Sequence, residues 1–191
     1  MGLQAMDNFL QLFLGKGLGE SEPELQTTAV LGVVILVAVI GSIPAGWAAD
    51  RYGRLRLIAV ACVLGLISAL LMIFSQSFIQ VLAFASILGL GLALFTVSDW
   101  ALAIDLVPDE NAPGLYMGIT NLGQAGGDAL ATLSAGIALD VVNNLQPGLG
   151  YRASFGMMAI YFLASLLVLR TVRSHITDSF HTAKNIDKTT S

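Results

Sequence analysis

The sequence predicts an all-α fold, a polytopic membrane helix bundle with about five full transmembrane helices and a partial one at the N-terminus. Three observations carry this. Charged residues make up 12% of the 191-residue chain and hydrophobic residues 55%, roughly half the charge of an ordinary soluble domain. Apolar runs long enough to cross a hydrocarbon core of about 30 Å as helices recur along the chain. Short linkers containing Pro, Gly, Asn or Ser separate them. A soluble core of this composition would have too few polar residues to cover its outside.

Residues Met1 to Leu14 are apolar but short, with Asp7 and Asn8 in the middle. They lack the basic start and small-residue cleavage site of a signal peptide and read as the second half of a membrane helix. A polar connector, Lys16 to Gln26, follows. Full spans are expected at Thr27–Ala49, Leu55–Phe74, Phe78–Ile104, Leu115–Val141 and Tyr151–Leu169. Ser75–Ser77 is barely a turn, while Asp105–Gly114 and Val142–Gly150 have the composition of exposed turns. The chain therefore divides into a membrane domain over residues 1–170 and a polar tail over 171–191, expected to be disordered.

Orientation follows from the basic residues. Of nine Lys and Arg, three (Arg51, Arg54 and Arg56) fall within the stretch GWAADRYGRLR at 46–56, between two spans. Placing that stretch in the cytoplasm puts Arg170, Arg173, Lys184 and Lys188 on the same side and leaves Lys16 and Arg152 outside. This satisfies the positive-inside rule. The expected location is the plasma membrane, multi-pass, with the 50–56 loop and the C-terminal tail cytoplasmic.

Charges inside spans are costly, so they mark protein interiors or aqueous cavities. The spans at Leu55–Phe74 and Tyr151–Leu169 have no internal charge beyond Arg152 at an edge, and read as packing or lipid-facing helices. Asp7, Asp99 and Asp128 fall in the others. Asp128 is the sharpest candidate. It stands midway along its span with Asn121, Gln124 and Thr132 at helical spacing on one face, a pattern suited to a cavity wall. A carboxylate hydrogen-bonded between helices for structure alone is the competing reading. Gly114/Gly118 and Gly123/Gly127 have the small-residue spacing that lets helices approach closely. Gly89-Leu90-Gly91 follows no strand and lacks a third glycine, so it is no nucleotide loop.

No metal site or cofactor is expected. Cys62 is a single cysteine in an apolar run, and His175 and His181 lie in the polar tail. No nucleophile, acid and base combination in the spans points to an enzyme. No extended basic patch points to nucleic acid.

The stretch Gly46-Trp-Ala-Ala-Asp50-Arg51-Tyr-Gly53-Arg54-Leu-Arg56 resembles the signature of the major facilitator superfamily of secondary transporters: Gly, three residues, Asp, Arg, any residue, Gly, then basic residues. Leu55 departs from one commonly basic position, with Arg56 shifted by one. Asp105-Leu-Val-Pro108 looks like the acid-x-x-Pro turn after the fourth helix of a six-helix half, and the Gly-rich helix from Gly114 looks like the fifth. The resemblance implies half of a major-facilitator fold, with the polar tail favouring the C-terminal half and the first helix truncated. It implies that Gly46, Asp50, Arg51, Gly53, Arg54, Arg56, Asp105 and Pro108 form a cytoplasmic gating motif, with Asp105 pairing Arg51 or Arg54. The competing role for these residues is helix-end anchoring alone. It further implies that the third and sixth helices of the half face lipid while the others line the cavity. Asp128, Asn121, Gln124, Asp99 and Asp7 are then candidates for contact with substrate or coupling proton.

The expected function is secondary active transport of a small solute by alternating access, with a proton or cation as the coupling species. A single half offers one wall, so a second half or a homodimer is required. The alternative is a non-transporting membrane protein, or an inactive fragment, that associates with other membrane proteins. The expected partners are thus the lipid bilayer, a small solute and a second transporter half.

Overall fold

A computed structural model describes residues 10–11, 13–17, 22–105, 113–145 and 150–189 of the chain, with side-chain detail ending at Thr171. Five α-helices follow a short π-helical turn, Phe13–Gly17: α1 Pro23–Tyr52, α2 Arg54–Ile73, α3 Phe78–Asp105, α4 Pro113–Leu145 and α5 Gly150–Thr189. Each contains a segment long and apolar enough to span a membrane. The expected spans thus correspond one to one with helices. The helices overrun the expected ends because backbone hydrogen bonding continues past the apolar segment into the interfacial turns.

α1 begins with Pro23 in its first turn, where a missing N–H costs nothing. It runs through Pro44 without ending, which leaves the Ile40 carbonyl without its usual helical donor. The break between α1 and α2 is a single residue. Gly53 has φ +89° and ψ 140°, and its N–H still donates to the Ala49 carbonyl at 3.1 Å. Only glycine enters this region without strain, so one residue reverses the chain inside the GWAADRYGRLR stretch.

α3 packs against both α1 and α2; α2 also packs against α5, and α5 against α4. The main seams therefore run α1–α3–α2–α5–α4, and among the described residues α3 and α4 make no extensive seam with each other. Two glycines explain how α3 fits between its neighbours. A methyl added at Gly89 would lie 2.7 Å from the Val34 carbonyl oxygen of α1, and one at Gly91 would lie 3.2 Å from the Ala61 carbonyl oxygen of α2. The Gly-Leu-Gly stretch is thus a packing device. Ser68 Oγ donates across the α2–α3 seam to the Phe84 carbonyl at 2.8 Å, and Gly65 makes room for the Phe162 ring in the α2–α5 seam.

Buried side chains cluster at the end of the bundle away from Gly53. Leu10, Phe13 and Leu14 pack there with Val30, Val34, Met72, Val81, Ala85 and Phe155. The rings of Phe13 and Phe155 meet edge to face, 5.2 Å apart. Inside a bilayer this contact stabilises through close packing rather than through removal of water. The expected division at Arg170 remains an expectation: the α5 backbone continues to Thr189, and its side chains past Thr171 lie outside the described residues.

Candidate functional site

Two regions collect the predicted site residues. The first surrounds the Gly53 turn. Asp50, Arg51 and Arg56 are exposed, Gly46 and Arg54 are half-buried. The Arg51 guanidinium lies 5.0 Å from the centre of the Trp47 ring and 5.8 Å from that of Tyr52, within range of cation–π attraction. The two rings are themselves perpendicular, 6.4 Å apart. Residues 47 and 51 are one helical turn apart, so this pairing follows from the sequence once α1 is known to reach Tyr52.

Arg54 opens α2 and reaches across to α3, where its guanidinium donates to the Ala101 carbonyl. A cation is favourable at that point, because the last carbonyls of a helix carry partial negative charge. Ala101 lies one turn before Asp105, the last residue of α3. The fold therefore brings the α3 end that bears Asp105 to the Arg54 end of α2. The Asp105 side chain, Pro108 and Asp7 lie outside the described residues.

The second region is α4. Asn121, Gln124 and Thr132 are exposed and Asp128 is half-buried, all on the face expected from their spacing. The Thr132 hydroxyl donates to the Asp128 carbonyl at 2.8 Å. α4 packs on α5, and no part of its membrane-spanning segment is fully buried. The expected close approach at Gly114/Gly118 and Gly123/Gly127 is not made among the described residues, since none of them lies within 4 Å of where a side chain would start. Asp99 is half-buried on α3, which makes its main contacts with α1 and α2, while the helix of Asp128 packs on α5.

The helices expected to pack or face lipid, α2 and α5, occupy the middle of the row of seams, and α2 is the most enclosed. One contact that sequence reasoning missed joins α4 to α5. The hydroxyls of Ser134 and Tyr161 are 2.7 Å apart. Its signal in the sequence is weak: a serine and a tyrosine inside apolar spans, with no spacing to relate them.

A row of apolar helices with carboxylates carried inside the spans defines a multi-pass helical membrane protein. The family model of the Major Facilitator Superfamily matches residues 1–187, and the chain belongs to that family. Among curated proteins it is similar to one named "Probable 4-methylmuconolactone transporter", from Cupriavidus pinatubonensis (strain JMP 134 / LMG 1197). The identity is 31% over 160 residues, 80% of this chain and 35% of the relative. The chain therefore spans about a third of that relative's length. No solved structure matches it.

Proposed function

We propose that the chain supplies one wall of a secondary active carrier for a small organic solute, working by alternating access rather than by chemical conversion. The observation that carries this reading is the α4 face: on a helix that packs mainly on α5, Asn121 and Gln124 stand exposed and Asp128 half-buried. A carboxylate and two amides at membrane depth are stable only against water, a solute or another protein wall. The span of about a third of the relative supports a second wall from elsewhere, either the other six-helix half or a second copy of this chain. In the first arrangement this chain serves as the C-terminal half.

Between Arg56 and Arg152 the sequence has no Lys, Arg or His. This wall thus offers amide donors and acceptors and proton-exchanging carboxyl groups and no fixed cation. It suits recognition of an uncharged or proton-accompanied polar solute by hydrogen bonds, with carriage of a coupling proton by Asp128. Asp99, nearer the Gly53 end, and Asp7 contribute secondary polar contacts. The relative's name makes 4-methylmuconolactone the first solute to test.

The Gly53 turn serves as the cytoplasmic gate element in the plasma membrane, with Asp105 pairing Arg54 or Arg51 and Pro108 completing the same acid-x-x-Pro motif. The membrane domain comprises residues 1–170 and the polar tail 171–191. The decisive experiment is uptake of labelled 4-methylmuconolactone into proteoliposomes under an imposed pH gradient. Asp128→Asn should lose gradient-driven accumulation while keeping passive exchange; full accumulation by the variant removes the coupling role. In a double-mutant cycle, Arg54→Ala and Asp105→Ala should impair uptake non-additively. Additive losses for both Arg54 and Arg51 refute the pairing. If the chain moves no solute either as a dimer or reconstituted together with the other six-helix half, the reading as an associating, non-transporting membrane protein replaces the carrier.

A further inference from the structure

The α4–α5 seam holds a chain of polar contacts at membrane depth. Ser134 Oγ lies 2.7 Å from the Leu130 carbonyl and 3.0 Å from that of Ala131, so it donates to its own helix. Its lone pair then accepts from the Tyr161 hydroxyl at 2.7 Å, and that hydroxyl also lies 3.5 Å from the Leu130 carbonyl. A donor bonded onward in this way polarises and strengthens the bond it accepts. Tyr161 thereby straps α5 to the α4 backbone two residues from Asp128.

α4 is otherwise anchored toward its C-terminal end, where Leu139 packs against the buried cluster and Gly150 abuts the Leu139 carbonyl. It packs on α5, and Gly118, Gly123, Gly126, Gly127 and Gly136 meet nothing within 4 Å. Side chains that would interlock with a neighbour are absent at those positions. At about 100° per residue, Ser134 lies roughly 120° around the helix from Asp128. The strap therefore grips one side of α4 and leaves the polar stripe free on another.

We propose that Ser134 and Tyr161 are a positioning pair that sets the rotation of α4 about its axis, and so the direction in which Asn121, Gln124 and Asp128 point. The pair matters to transport through the proposed use of that polar face, on which this part rests. The rotation itself can be measured without a solute.

The test uses the full chain in nanodiscs on a Cys62→Ser background, with spin labels at Ser77→Cys and at either Gln124→Cys or Leu133→Cys. Residues 124 and 133 are both exposed and lie on opposite sides of α4, about 180° apart. Rotation moves their distances from residue 77 in opposite senses; sideways translation or unfolding of α4 does not. Tyr161→Phe should replace each narrow distance distribution with one shifted in opposite senses at the two sites. Ser134→Ala should produce the same shifts and add nothing to Tyr161→Phe, while Ser134→Thr should restore the parent distances. Unchanged distances in folded Tyr161→Phe and Ser134→Ala, or shifts of the same sense, overturn the proposal. Should Asp128→Asn transport normally, only the use of the stripe fails and the measured rotation still decides the strap.

Discussion

At the scale of single residues, Gly53 decides most. Its φ of +89° with ψ of 140° is a backbone conformation that a side chain makes costly. Gly53→Ala should therefore destabilise the chain by about 1–3 kcal/mol, measured by SDS titration in mixed micelles. The cost arises from backbone strain alone, because nothing lies within 4 Å of the added methyl. An unchanged midpoint would mean that the turn relaxes without strain. The need for glycine here was legible in the sequence, since two spans meet within a few residues. That one residue suffices was not, because it depends on α1 and α2 both running to the turn without fraying.

At the scale of the helix, the glycines of α3 and α4 have opposite meanings despite similar spacing. Gly89 abuts the Val34 carbonyl, and backbone cannot move aside as a side chain can. Gly89→Ala should cost about 1–3 kcal/mol, as overpacking does. Gly118→Ala meets open space, so the better helix former should stabilise the isolated chain by roughly 0.5–1 kcal/mol. Comparing both variants in one unfolding assay checks the pair of signs. A loss at Gly118 in the presence of a second wall would locate where that wall packs. The length of the apolar runs placed all five helices, because an apolar run of membrane length leaves helix as the available backbone solution. It could not say which small residues touch a neighbour. That choice depends on which helices are adjacent, and α3 and α4 differ in this respect while sharing a glycine-rich composition.

At the scale of the whole molecule, the antiparallel course of α1, α2 and α3 puts Arg56 and Ser77 at opposite ends of α2. In the proposed orientation Arg56→Cys should react with a membrane-impermeant maleimide only from the cytoplasmic side, in inside-out vesicles. Ser77→Cys should react only from the outer side in intact cells, both on a Cys62→Ser background. Reversed accessibility would refute the orientation and with it the cytoplasmic gate. The sequence by itself determined the membrane class, the number of long helices, the arginine-bearing turn and the polar face of α4. Each of these follows from local chemistry: apolar length, the cost of charge in hydrocarbon, and helical spacing. The order of seams, the reach of Arg54 to Ala101 and the Ser134–Tyr161 bond were decided only by tertiary structure. They join residues far apart in the chain, and no single-helix pattern encodes which helices become neighbours when lipid makes every apolar face equally acceptable to its surroundings.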